Sequence, residues 1–148
     1  RLPQVEEELN VEYLPLEELV SRCDIVSLHC AVTPETTHMV DKALLDKFKP
    51  GAILVNTSRG LLVDSLAVRQ ALIDGRLGAI AMDVFEPEPT PADHPLVDLP
   101  PEVADRAIYS PHLGGNTGGS FHRAHTNMWT SAQLVLEGKR PNFIVNGL

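Results

Sequence analysis

Four short polar stretches of this chain each follow a run of apolar, strand-like residues. They are "HCAVTPET" (29–36), "TSRG" (57–60), "DVFEPEP" (83–89) and "PHLGG" (111–115). The last three of them hold a permanent cation, Arg59, three carboxylates, Asp83, Glu86 and Glu88, and a histidine, His112. The planar fork of an arginine suits a carboxylate. A histidine gives or takes a proton near neutral pH. A carboxylate on its other ring nitrogen would fix the tautomer and favour the imidazolium. An anion anchor, a proton donor and an orienting carboxylate suit reduction of an α-keto acid. None of them supplies a hydride, so a cofactor must. The residues alone leave open which carboxylate serves.

These stretches need elements that bring them together. The spacing of Leu16, Leu19, Val20 and Cys23 predicts a short helix. "DIVSLH" (24–29) reads as a strand, and "DKALLDKF" (41–48) as a helix with Asp41 as N-cap, ended by Pro50 and Gly51. "AILVN" (52–56) is the next strand. Asp64 caps a further helix in which Val68, Ala71 and Leu72 face inward and Gly75 closes the end. "GAIAMDV" (78–84) and "AIYS" (107–110) are strands, separated by a proline-rich loop. Phe121, Ala124, Met128, Ala132 and Val135 mark one face of a final helix, expected over 118–138. Short apolar strands alternating with helices imply βαβ units and a Rossmann-like, doubly wound parallel sheet of the α/β class. Ligands of such sheets bind beyond the carboxyl ends of the strands, where the four polar stretches lie.

Composition narrows the function classes. The 148 residues suffice for one domain with a core. A formal net charge of -8 repels phosphate backbones and argues against nucleic acid. No apolar run has the length of a membrane span, and no signal-peptide pattern stands at the start. Cys23 and Cys30 read as reduced core thiols, which suggests the cytoplasm. His122 and His125 lie three apart on the last helix, but no third ligand has suitable spacing, so no metal is expected. Met128 and Trp129 read as core or interface packing. The opening "RLPQVEEEL" is helix-like, with no strand before it and no initiating methionine, and is expected to be part of something longer.

"LVNTSRGLLVD", "AMDVFEPEP" and "SPHLGGNT", in this order, resemble the D-isomer-specific 2-hydroxyacid dehydrogenases, with similarity from about Leu2 to Gly147. The resemblance implies that residues 1–148 are the later part of an NAD-binding domain with its C-terminal helix, and that the substrate domain is not in this chain. It implies that Arg59 binds the substrate's carboxylate and carbonyl oxygen, and that His112 is the general acid or base. Glu88 would be its carboxylate partner, while Glu86 falls at a variable position and has no role. Asp83 would contact the nicotinamide side of NAD. Ala31, Val32 and Thr33 would lie along the adenosine half. Thr57, Ser58 and the backbone at Gly114 and Gly115 would also touch the cofactor. The implied partners are a small 2-hydroxy or 2-keto acid, of phosphoglycerate or glyoxylate–hydroxypyruvate type, and a second subunit in a homodimer.

Two departures stand out. Ala31 replaces the family's usual proline, which alters a turn. The glycine-rich phosphate loop and the ribose-binding acid are not in the sequence, and "GGNTGG" (114–119) lacks the GxGxxG spacing. The isolated chain is therefore expected to bind NAD poorly and not to turn over. NADP stays open, because Arg1 lies near the region that chooses between the two. "TPETTHMV" and "PADHP" also resemble formate dehydrogenases, which carry glutamine where Glu88 stands. A different class, the related NAD-sensing corepressors, keeps a similar arginine, glutamate and histidine set and acts by binding partners.

Overall fold

The computed structural model describes residues 2–142 and 144. These form two units, divided between Pro111 and His112.

The first unit holds helices α1 (Pro3–Leu9), α2 (Leu16–Arg22), α3 (Lys42–Leu45), α4 (Ser65–Ile73) and α5 (Pro101–Ala104). Its strands are β1 (Ile25–Leu28), β2 (Ala52–Asn56), β3 (Leu77–Met82) and β4 (Ala107–Tyr109). All four strands pair in parallel, in the order β1-β2-β3-β4. The α/β, Rossmann-like class expected from the alternation is the class observed. A monotone order of parallel strands is one winding direction of a doubly wound sheet. Right-handed crossovers then deliver successive helices to the same face.

Local chemistry explains the element ends. The Asp41 carboxylate accepts Leu44 N–H at 2.8 Å, and Asp64 accepts Leu66 N–H and Ala67 N–H at 3.0 and 3.1 Å. Both are the N-caps read from the sequence. Gly75, at φ 74°, closes α4. Leu54, Leu72 and Leu77 have no exposed surface, and each stabilises the core by about 1.5–3 kcal/mol. Val68, Ala71 and Leu72 do face inward. Cys23 and Cys30 are free thiols of intermediate burial.

Three expectations need adjustment. The 41–48 helix is only Lys42–Leu45, since Pro50 and the left-handed Gly51, at φ 78°, follow closely. Strand β3 ends at Met82, so Asp83 and Val84 already belong to the loop. That loop also contains α5, which begins with Pro at its first position and was hidden by the proline content.

In the second unit, α6 runs Gly118–Leu136 rather than to 138. Gly138 takes φ 70° and its N–H reaches Val135 O at 3.0 Å, while Lys139 N–H reaches Leu134 O at 2.8 Å. That is a glycine C-cap, which stops the helix two residues early. No described residue of α6 is buried. Met128 and Trp129 are 55% and 69% exposed, so neither is core in this chain.

Candidate active site

In-register pairing makes the strands end together. Leu28 of β1 stands opposite Asn56 of β2, and Asn56 opposite Met82 of β3. The residues just beyond therefore share one edge of the sheet. Ala31, Val32 and Thr33 follow β1; Thr57, Ser58 and Arg59 follow β2; Asp83 and Glu88 follow β3.

The β2 turn is built by Asn56, which sequence reasoning did not single out. It is fully buried. Its Oδ1 accepts Ser58 N–H at 3.0 Å, and its Nδ2 donates to Arg59 O at 2.9 Å. A buried amide so paired replaces the ladder bonds that end with the strand. Ser58 Oγ donates to Leu28 O at 2.7 Å and ties the turn to β1. Asp83 N–H donates to Asn56 O at 3.0 Å and ties it to β3. The Arg59 side chain is exposed, with its guanidinium bonded to Ser58 O at 2.6 Å.

Gly60 binds this turn to the loop after β3. Its α-carbon faces the Phe85–Glu86 peptide so closely that an added Cβ would lie 2.5 Å from Glu86 N and nearer still to the Phe85 carbonyl. Only glycine fits. The segment that carries Arg59 is thereby seated on the segment that carries Glu88. Glu88 folds back so that its Oε1 accepts Phe85 N–H at 2.8 Å. Ser110 Oγ donates to Asp83 Oδ1 at 2.6 Å, so Asp83 is aligned by the residue that follows β4.

A second residue missed by sequence reasoning lies in the same loop. His94 is 4% exposed, its Nδ1 accepts Leu96 N–H at 3.2 Å, and its ring meets Phe85 edge-on at 5.5 Å. Burial pushes its pKa down, while the Glu86 carbonyl and the Asp93 charge act in the opposite direction. For both Asn56 and His94 the available signal was a polar residue inside an apolar or proline-framed stretch.

Among the β1-loop residues, Thr33 is committed to its own turn. Its N–H donates to Thr36 Oγ1 at 2.7 Å and its carbonyl accepts Thr37 Oγ1 at 2.7 Å. Ala31 O accepts Thr36 Oγ1 at 2.8 Å. Across the edge, exposed Ala31 and Thr57 alternate with half-buried Val32, Ser58 and Asp83. Such a row fits an extended ligand laid over the strand ends. The residues present thus suit the non-phosphate parts of a dinucleotide, while the glycine loop that would hold its phosphates is not in the sequence.

His112, Gly114 and Gly115 belong to the second unit. His112 has a left-handed backbone, φ 53°. Leu113 O accepts Asn116 N–H at 2.8 Å, and Thr117 caps α6 by accepting Ser120 N–H at 3.1 Å. A Cβ at Gly114 or Gly115 would meet no atom of the described residues, its chain neighbours apart, within 4 Å, and neither has a left-handed φ. Among the described residues no packing calls for glycine at either position. Among the described residues, no three His, Cys, Asp or Glu side chains gather as a metal ion would need.

The family model described as "D-isomer specific 2-hydroxyacid dehydrogenase, NAD binding domain" matches residues 1–114. The chain is 46% identical over 137 residues to a glyoxylate reductase of Korarchaeum cryptofilum, covering 93% of this chain and 38% of that protein. It is 40% identical over 132 residues to the D-3-phosphoglycerate dehydrogenase of Mycobacterium tuberculosis, covering 89% of this chain and 24% of that protein. A solved structure of Rhodotorula graminis D-mandelate dehydrogenase superposes with a TM-score of 0.84 at 30% identity, covering 96% of this chain and 40% of that one. The chain spans well under half the length of each.

Proposed function

We propose, because the chain belongs to the D-isomer specific 2-hydroxyacid dehydrogenases through their NAD-binding domain, that the complete protein interconverts a D-2-hydroxy acid and its 2-keto acid. NAD supplies the hydride acceptor or donor. Ala31, Val32, Thr33, Thr57, Ser58 and Asp83 are the residues of this chain that would line it, with the backbone at Gly114 and Gly115. Arg59 holds the substrate carboxylate through its fork and polarises the carbonyl oxygen. His112 gives a proton to that oxygen in reduction and takes it in oxidation. Glu88 stabilises the imidazolium and fixes the ring's tautomer.

The observation that carries this reading is the seating of Gly60 on the Phe85–Glu86 peptide. It joins a fixed cation and a carboxylate on one sheet edge, which a solvated loop arginine has no need of. The relatives' names support phosphoglycerate or glyoxylate as substrates. The reading of Cys23 and Cys30 as reduced thiols supports a cytoplasmic protein, and the resemblance supports a homodimer. No helix among the described residues is long and apolar enough to cross a membrane.

The test is turnover of glyoxylate, hydroxypyruvate and phosphoglycerate by the complete protein, with formate as the contrasting substrate. His112→Ala should cut turnover by about a hundredfold or more. A near-wild-type rate in that variant, or turnover of formate alone, overturns the reading.

A further inference from the structure

Ser110 stands just past a strand end, and the proposed mechanism gives it no part. Strand β4 ends at Tyr109, which stands opposite Met82 of β3. The ladder runs one bond further, because Ser110 N–H donates to Met82 O at 3.1 Å. On the other side of β3, Asp83 N–H donates to Asn56 O at 3.0 Å in the same pattern. Asp83 and Ser110 are therefore the next pair in register. Neighbours in register on parallel strands project from the same face of the sheet. A hydroxyl is thus delivered beside a carboxylate, and Ser110 Oγ lies 2.6 Å from Asp83 Oδ1.

Chemistry fixes the direction of this bond. An ionised carboxylate only accepts, so the serine gives the hydrogen. The length falls in the range of about 2.5–2.7 Å typical of a hydroxyl on a charged oxygen. Asp83 is held twice, its main chain by Asn56 of β2 and its side chain by the residue after β4. Turning the carboxylate breaks the second of these bonds. Closing the ladder does not require a serine. The main-chain N–H does that, and alanine at 110 would serve equally well.

A carboxamide presents two N–H donors and one oxygen. An ionised carboxylate facing it accepts an N–H and repels the oxygen. We propose that Ser110 is a positioning residue for the cofactor: by donating to Asp83 Oδ1 it aims the carboxylate that accepts an N–H of the nicotinamide carboxamide, and so fixes how that amide is turned. The inference rests on the reading of Asp83 as a contact on the nicotinamide side of NAD.

The test uses the complete protein and two cofactors, NAD and its 3-acetylpyridine analogue. In the analogue a methyl ketone replaces the carboxamide, so no N–H is left to donate. Calorimetry gives both dissociation constants. Ser110→Ala should weaken NAD by about three- to tenfold, the worth of one hydrogen bond. It should leave the affinity for the analogue unchanged. Ser110→Thr keeps the hydroxyl and should bind NAD as the wild type does. In an Asp83→Ala background, Ser110→Ala should cost nothing further. An unchanged NAD affinity in Ser110→Ala, or an equal loss for both cofactors, overturns the inference. Either result beside an Asp83→Ala protein that binds NAD weakly leaves the reading of Asp83 standing. An Asp83→Ala protein with wild-type NAD affinity overturns both. If Ser110→Ala does not fold, Ser110→Cys, whose thiol is a weak donor, replaces it in the same measurements. Loss of NAD affinity alone is again the expected result, and no loss or an equal loss overturns the inference.

Discussion

Asn56 donates its side-chain amide to the carbonyl of Arg59 at 2.9 Å, so the last residue of a buried strand directly shapes the main chain of the anion-binding residue. The same amide accepts Ser58 N–H at 3.0 Å. A carboxylate at 56 could accept but not donate. Asn56→Asp therefore leaves Arg59 O without its donor and puts an acid at a fully buried position. The cost of an unsatisfied buried group is about 1–3 kcal/mol, more if the acid ionises. Denaturant unfolding of the complete protein should show that loss, and KM for the keto acid should rise more than kcat falls. An unchanged KM in a folded variant would show that this turn does not orient Arg59.

Gly60 makes a sharper case, because it needs no assumption about chemistry to predict a structural cost. An added methyl group meets main chain, not a side chain that can swing away. Overpacking of this kind costs about 1–3 kcal/mol, occasionally more. Gly60→Ala should lower the melting temperature and activity together. By contrast, Gly114→Ala meets nothing within 4 Å and should leave stability unchanged. On the proposed function it should weaken NADH binding, measured by fluorescence titration, and unaltered binding would remove Gly114 from the cofactor surface.

The fold was legible where local chemistry alone decides it. Asp41 and Asp64 are caps because a short carboxylate before an apolar run has backbone N–H groups to satisfy. The strands were legible because a sheet buried by helices leaves continuous apolar runs. What escaped depends on contacts far apart in sequence. Helix α5 hides among prolines that usually end helices, although proline is welcome in a first turn. Asn56 reads as an ordinary strand-end polar residue until its partners across the turn are seen. His94 reads as a loop histidine until Leu96 and Phe85 are seen against it. Arg59 and Glu88 were legible as residue types at strand ends. Their mutual seating was not, because it passes through the absence of a side chain at Gly60.

The Asp64 cap offers a control without active-site chemistry. Its carboxylate takes two N–H groups at the start of α4, the helix packed on β3. Asp64→Ala should cost about 1 kcal/mol of stability, and Asp64→Ser much less. Thermal unfolding followed by circular dichroism measures both. KM values should not move in either variant.

The buried imidazole makes the loop sensitive to acid, with a sign that can be worked out. Burial lowers the His94 pKa in the folded state, so the folded protein resists a proton that the unfolded chain accepts. Above the ordinary histidine value of about 6.5, both states are neutral and the full contribution of the ring is present. As pH falls below that value the unfolded chain takes up the proton, and stability is lost until the lower folded pKa is passed. His38 and Asp64 line the same recess of ≈ 370 Å³ as Glu86, Asp93 and His94, and Tyr109 packs on Phe85 from β4. His38→Gln separates the contribution of the other histidine. The local reporter is the Leu96 amide, because protonated Nδ1 can no longer accept its N–H. Hydrogen exchange at Leu96, corrected for the intrinsic pH dependence, should lose protection as pH falls below about 6.5. His94→Gln should flatten that dependence while His38→Gln preserves it. Protection that stays constant through this range would mean that opening the loop does not change the ring's proton affinity.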